Sequence, residues 1–361
     1  MKIGLLTGGG DCPGLNAVIR AVVRTANMHY GFYVMGIEDG YEGLLSPMKV
    51  RPLSLEDVKG ILQRGGTILG TSNRGNPFAF RSRDEHGDIV VKDRSQELFE
   101  NYRRLRLDGL IVVGGDGSLK LASILMEQGI PVVGVPKTID NDISETEYTF
   151  GFDTAVATAT EALDKLHTTA ESHHRVMYLE VMGRHSGWIA VHSGLAGGAD
   201  VILIPEIPFR MERICEKVEE RISMGRNFSV VVVAEGARPE GGSQIYTVRP
   251  EESLGSGRLG GVAEHVCRQV GELIKQESRV TVLGHLQRGG SPTPFDRALA
   301  TRFGSTAAHF VAEKKFGMMC ALQANSIVPI PIKEAVQKSK TVPVNGELVR
   351  IARSLGISFG N

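Results

Sequence analysis

Cysteine is scarce in this 361-residue chain, and Cys12, Cys215, Cys267 and Cys320 share no paired spacing. That pattern indicates neither a zinc knuckle nor a disulfide framework. Net charge is absent as well, with 41 Lys+Arg against 41 Asp+Glu. A balanced chain offers no electrostatic footprint for general binding to nucleic acid or to a membrane surface. Long apolar runs are missing too. The stretch at residues 185–199, free of Asp, Glu, Lys and Arg, is too short and too glycine-rich to span a bilayer. Met1 runs straight into a strand-like segment, with no signal-peptide pattern. These absences lead us to expect a soluble protein of a reducing compartment, the cytoplasm, without nucleic-acid or membrane partners.

Glycine is plentiful, at 44 residues, and concentrates in loops that follow apolar runs. The length suffices for two domains. Strand-like and helix-like segments alternate along the chain, which predicts an α/β fold with doubly wound, largely parallel sheets. Expected strands cover residues 2–7, 34–36, 109–113, 132–135, 175–181, 200–204, 228–234 and 279–283. Expected helices cover 15–28, 96–107, 119–128, 153–171, 211–224 and 297–315, followed by a short strand and helical pieces. Residues 236–260, rich in glycine, read as an excursion from one domain.

Polar groups cluster just past several of these strands. After residues 132–135 come Lys137, Thr138, Asp140 and Asp142. Two carboxylates beside a hydroxyl and an ammonium suit proton removal from a substrate hydroxyl next to a bound phosphate, although a solvated Asp-Asn-Asp turn would look the same. The first strand leads into Gly8-Gly-Gly-Asp-Cys-Pro-Gly14, where glycine lets main-chain N–H groups approach a phosphate at a helix N-terminus. Neither the dinucleotide nor the Walker pattern fits it, and a tight turn without ligand is an equal reading. Gly114-Gly-Asp-Gly-Ser118 repeats the unit with Asp116 at its centre, a natural anchor for Mg²⁺, which commonly takes one or two carboxylates plus phosphate oxygens. Arg74, in a Gly/Asn-rich stretch, is a candidate phosphate clamp or an ordinary surface arginine. Later strands are followed by Met182-Gly-Arg184, by Glu235 and by Gly284-His-Leu-Gln-Arg-Gly-Gly290. In parallel sheets these groups all lie along one edge, an inventory for phosphoryl transfer.

Leu-Thr-Gly-Gly-Gly-Asp-Cys-Pro-Gly-Leu-Asn16, Gly-Gly-Asp-Gly-Ser118, Pro-Lys-Thr-Ile-Asp-Asn-Asp142, Met-Gly-Arg184 and Gly-His-Leu-Gln-Arg-Gly-Gly290 together resemble the phosphofructokinase family, in its order and at its spacing. The resemblance implies two Rossmann-like domains with the active site in the cleft between them. A phosphoryl-donor domain would comprise residues 1–151 plus about 287–337, and a sugar-phosphate domain about 152–286 plus 338–361. The implied reaction is the glycolytic transfer of a phosphoryl group from ATP, with Mg²⁺, to the 1-hydroxyl of fructose 6-phosphate. Pyrophosphate as donor is the alternative, and a non-catalytic nucleotide-sensing homologue a second one. By the same resemblance Asp140 matches the general base, supported by Asp142, Thr138 and Arg184, with Asp116 near the metal. Gly10, Arg74, Gly115, Asp116, Gly117 and Ser118 match donor-binding positions. Thr138, Ile139, Asp140, Met182, Gly183, Arg184, Glu235, His285, Leu286, Gln287 and Arg288 match the sugar-phosphate site. Arg175 and Arg279 match arginines that serve a neighbouring subunit, implying a homodimer or homotetramer.

Two positions depart from the simple pattern. ATP-dependent bacterial members usually carry Gly where Lys137 stands, and pyrophosphate-dependent members carry Lys there. The latter carry Asp at the position of Gly117. The chain thus resembles a mixed group, with donor choice expected at Gly117 and Lys137. The family's effector site is matched only in part: Arg20, Arg24 and Arg226 fit, while His167 and Met224 replace basic residues.

Overall fold

The computed structural model describes residues 1–72, 75–249 and 257–361. The chain opens with β1 (Lys2–Gly8), α1 (Leu15–Tyr30), β2 (Tyr33–Ile37), β3 (Val50–Leu53), β4 (Phe80–Arg83) and β5 (Ile89–Lys92). It continues through α2 (Ser95–Leu105), β6 (Gly109–Gly114), α3 (Asp116–Glu127), β7 (Val132–Pro136), α4 (Phe152–His173) and β8 (Val176–Val181). Next come α5 (Trp188–Ala196), β9 (Val201–Leu203), α6 (Met211–Ser223), β10 (Ser229–Ala234), β11 (Tyr246–Val248) and β12 (Arg258–Leu259). The last elements are α7 (Val262–Ile274), β13 (Ser278–Val282), α8 (Pro294–Ala312), β14 (Met318–Gln323), β15 (Ser326–Pro331), α9 (Ile332–Ala335) and α10 (Glu347–Ser354).

Two compact units share these elements. The first comprises Met1–Ile139, Ile143–Asp153 and Arg288–Ser339; the second comprises Asp140–Asp142, Thr154–Gln287 and Lys340–Asn361. The first unit is built on a seven-stranded sheet of order β15-β14-β7-β6-β1-β2-β3. Its five inner strands are parallel, and β3 and β15 add antiparallel edges. Strands β1 and β6 lie side by side in register, with Gly8 opposite Gly114. From β1 the chain winds outward to β2, and from β6 it winds the other way to β7. The carboxyl ends of this pair therefore form the topological switch point, where open α/β sheets bind ligands. The inner strands are apolar almost without interruption because helices cover both faces: Leu110, Ile111, Val112 and Val113 are fully buried. Each such side chain contributes roughly 1.5–3 kcal/mol by leaving water.

The second unit holds a four-stranded, all-parallel sheet of order β13-β8-β10-β9. Val230, Val231, Val232, Val233 and Ala234 are all fully buried. Val231 and Val233 pack with Val176, Tyr178, Val201 and Leu203 and with Val262, Val266 and Val270 of α7. Register places Val181 opposite Ala234, so the loops after β8 and β10 leave the sheet together.

Local differences from the sequence reading have simple causes. The motif at residues 114–118 reads as a loop, yet α3 begins at Asp116 with Gly115 as its N-cap, because an acidic residue in the first turn offsets the helix dipole. Strand β3 escaped notice because Pro52 breaks its pattern, and proline is tolerated on a sheet edge. The single short strand expected after α8 is a hairpin, β14 with β15, turning through Ala324 and Asn325 at φ 45° and 64°. Ala-Asn is not the dipeptide that advertises such a turn. In the region read as an excursion, β11 and β12 form a small antiparallel pair.

Candidate active site

The first unit carries a cavity of about 510 Å³ at its switch point. Gly9 and Gly10 after β1, and residues 115–118 at the start of α3, form its floor. The opening N–H groups of α3 have no partner within the helix, so that end is an anion cradle. Several hydrogen bonds hold it open. The Gly9 N–H donates to the Ser72 carbonyl at 3.0 Å, and the Thr71 hydroxyl donates to the Gly9 carbonyl at 2.5 Å. Tyr41, a residue the sequence reading passed over, donates its hydroxyl to the Ser118 carbonyl at 2.8 Å. Burial pushes that phenol's pKa up, which keeps it a neutral donor.

Lys137 is 3 % exposed and donates its ammonium to the Gly10 carbonyl, while its N–H reaches the Gly114 carbonyl at 3.0 Å. Arg288 lies against the same turn, donating to the Asp11 carbonyl at 3.0 Å. A Cβ at Gly10 would come within 2.6 Å of the Arg288 guanidinium, so a larger residue there would displace that side chain from the turn. Thus Arg288, grouped with the sugar site on resemblance, lines the cavity of the first unit. Thr138 lines it too, its carbonyl accepting from the Thr149 hydroxyl at 2.7 Å. Ile139 is fully buried. Burial raises the Cys12 thiol to about 12, which removes it as a nucleophile. Arg74 lies outside the described residues.

Asp116 is the acidic group among the described residues lining this cavity, and its carboxylate accepts from Lys120 Nζ at 2.7 Å. A single hard-oxygen ligand facing a phosphate cradle fits Mg²⁺, which retains waters and takes phosphate oxygens. Further along α3, Leu121 and Ile124 give the cavity an apolar end. Asp116 to Ile124 spans about 12 Å of helix.

In the second unit a cavity of about 360 Å³ lies at the carboxyl ends of β8, β10 and β13. It brings together Met182, Glu235 and His285, and adds Glu180, Arg258 and Glu264, which sequence reasoning missed. Glu180 is buried, accepting from the N–H groups of Gly261 at 3.2 Å and Ala263 at 2.9 Å, and so fixes the start of α7. An acidic residue inside a strand of Val and Leu was the available signal. Gly183 has φ 140°, and its neighbour Arg184 donates to the Gly257 carbonyl at 2.8 Å. Gln244, also unremarked in the sequence, donates to the carbonyls of Arg184 at 2.8 Å and Gly236 at 3.3 Å, tying the two strand-end loops. Gln287 is fully buried, accepting from the Met182 N–H at 3.3 Å and donating to the Gly284 carbonyl at 3.1 Å. It shapes backbone and does not face the cavity, whereas Leu286 is 69 % exposed.

Asp140, Asn141 and Asp142 belong to this second unit. The Ser186 hydroxyl donates to the Asp140 carbonyl at 3.0 Å, and Asn141, between the two aspartates, adopts φ 50°. Arg175 and Arg279 stand apart. They flank Glu277, at 2.9 and 2.6 Å, at the amino end of β8 and β13. The six residues of β8 separate that end from Met182 by roughly 20 Å.

A glycine cradle at a switch point, with a buried lysine and one carboxylate, defines a phosphate-handling α/β protein. The phosphofructokinase family model matches residues 2–311. The chain belongs to the phosphofructokinase family. It is 53 % identical over 360 residues to an ATP-dependent 6-phosphofructokinase of Chloroflexus aurantiacus, covering 100 % of this chain and 98 % of that one. It is 52 % identical over 361 residues to a pyrophosphate–fructose 6-phosphate 1-phosphotransferase of Streptomyces coelicolor, covering 100 % of both. Among solved structures, Pichia pastoris phosphofructokinase in the T-state matches with a TM-score of 0.78 at 34 % identity. That match covers 93 % of this chain, which spans about a third (35 %) of the Pichia chain's length. Among the described residues, no helix is long and apolar enough to cross a membrane.

Proposed function

We propose that this protein transfers the γ-phosphoryl group of ATP to the 1-hydroxyl of fructose 6-phosphate, giving fructose 1,6-bisphosphate and ADP. The observation that carries ATP as donor is the length of the first unit's cavity. Its glycine end suits a polyphosphate, and its apolar end at Leu121 and Ile124 suits a nucleotide base. Pyrophosphate would occupy the glycine end alone. Gly117 agrees: a Cβ there meets nothing within 4 Å, so an acidic side chain would project into the space the donor phosphates need. Lys137 favours the second reading, pyrophosphate, but an ammonium, a point charge with three donors, can serve either donor.

The first unit is the donor half and the second the acceptor half. Asp140 takes the proton of the 1-hydroxyl as that oxygen attacks the γ-phosphorus, and the bond to the bridging oxygen breaks to release ADP. Gly10, the N–H groups of residues 115–118, Lys137 and Arg288 hold the donor. Mg²⁺, held by Asp116 and the donor's oxygens, would draw off charge from the phosphates. Met182, Arg184, Glu235 and His285 orient the sugar phosphate. Arg175 and Arg279 serve the site of a second copy, making the active form a homo-oligomer, and the enzyme works in the cytoplasm. Initial rates with ATP and with pyrophosphate at matched Mg²⁺, with fructose 6-phosphate varied, test this reading. Fructose 6-phosphate-dependent ADP release is the expected result; turnover on pyrophosphate but not ATP sinks the donor assignment.

A further inference from the structure

Asn141 sits between the two carboxylates of the Asp140–Asp142 turn and is 3 % exposed. Its side-chain carbonyl accepts from Lys340 Nζ at 2.9 Å, across 199 residues of sequence and within the same compact unit. The Lys340 N–H donates to the Asp142 carbonyl at 2.8 Å. Lys340 is itself placed from two sides. Its carbonyl accepts from the Trp188 indole N–H at 3.0 Å, and its ammonium stands 5.7 Å over the Trp188 ring centroid. Two residues on, the Val342 N–H donates to Glu206 at 2.8 Å, and the same carboxylate accepts from the Gly187 N–H at 3.0 Å. Residues 340–342 and 186–188 thus form one braced support under the turn.

From this geometry we infer that Lys340 is a positioning residue for the phosphoryl-transfer reaction, its ammonium locking Asn141 and through it the aim of Asp140. The inference rests on the reading of Asp140 as general base. A base must come within about 2.6–3.2 Å of the proton it takes. The main chain that aims Asp140 is held at its carbonyl by Ser186 and, one residue on, through the Asn141 amide by Lys340. Misplacement of about 1 Å can cost 10²-fold in rate without touching substrate binding.

The full-length enzyme tests this with Lys340→Met, Lys340→Arg, Asn141→Gly and the double variant Lys340→Met/Asn141→Gly. Methionine keeps an unbranched stem and both main-chain hydrogen bonds, so it removes the ammonium alone; glycine accommodates the left-handed φ of residue 141. Lys340→Met should lower kcat about 10- to 100-fold while KM for both substrates stays within about twofold. Lys340→Arg should return most of the rate, and the double variant should be no slower than the slower single one, since the inference routes both through the Lys340–Asn141 contact. A normal kcat in Lys340→Met, a loss confined to KM, or single losses that multiply in the double variant would overturn the inference. Asp140→Asn separates the two claims. Near-wild-type turnover there sinks the base assignment and this inference with it; a crippled Asp140→Asn beside a normal Lys340→Met sinks this inference alone.

Discussion

The cavity at the end of the seven-stranded sheet is floored by main chain, whereas the cavity at the end of the four-stranded sheet is walled by charged side chains. In the first, Gly10 and residues 115–118 present main-chain groups, with Lys137 and Arg288 bonded to the carbonyls of Gly10 and Asp11. In the second, Glu180, Glu235, Arg258, Glu264 and His285 converge on a smaller space. On the proposed reading, the contrast follows from what each must recognise. A polyphosphate is a row of equivalent oxygens that suits fixed dipoles at a helix N-terminus. A sugar phosphate has hydroxyls at distinct positions, and discriminating them requires individual donors and acceptors.

The largest test of this contrast is Asp140→Asn, which removes the proposed base and leaves the donor cradle intact. Turnover should fall roughly 10²–10⁴-fold while nucleotide affinity, read by equilibrium titration, stays near wild type. An equal loss of nucleotide affinity would show that the two halves are not separable. Gly117→Asp attacks the other half. Its Cβ meets no atom within 4 Å, so the variant should fold normally, with bulk and negative charge entering the donor space. ATP-dependent turnover should disappear, and with Lys137 in place pyrophosphate-dependent turnover should be gained; a variant that still uses ATP normally would remove Gly117 from donor choice.

A smaller effect is expected at the amino end of the second sheet. Arg175→Ala and Arg279→Ala should each raise KM for fructose 6-phosphate with little change in kcat. Each should also complement an Asp140→Asn partner when subunits are mixed and exchanged. Activity that never rises above that of the separate variants would place both arginines outside any shared site.

The smallest effect concerns Glu206, whose pKa burial raises despite its bonds to the Val342 and Gly187 N–H groups. The folded state then keeps a proton that the unfolded chain has already released. This carboxyl's contribution to stability therefore falls as pH climbs from the ordinary carboxylate range through the raised value. Relative to Glu206→Gln, the wild-type melting midpoint should drop over that window by a few degrees, since about 1 kcal/mol moves the midpoint of a large domain by only ~2–4 °C. A gap that is constant with pH would contradict the raised value.

Local chemistry made much of this molecule legible in the sequence. Apolar runs such as residues 228–234 announce strands covered on both faces, and the glycines after β1 and β6 mark the two turns that meet at the switch point. Lys137, Asp116 and residues 115–118 could be gathered from spacing because each follows its strand directly. Long-range placement was not legible. Nothing near Lys340 signals that it reaches Asn141, nothing near Gln244 signals that it ties Arg184 to Gly236, and Arg288 was not recognisable as a neighbour of Gly10. The sequence by itself determined the parallel strands, the longer helices and the order of the phosphate-handling turns, because periodicity and turn chemistry act over a few residues. Only the tertiary structure decided which distant side chains brace those turns, because such contacts depend on how separate segments pack and leave no periodic trace.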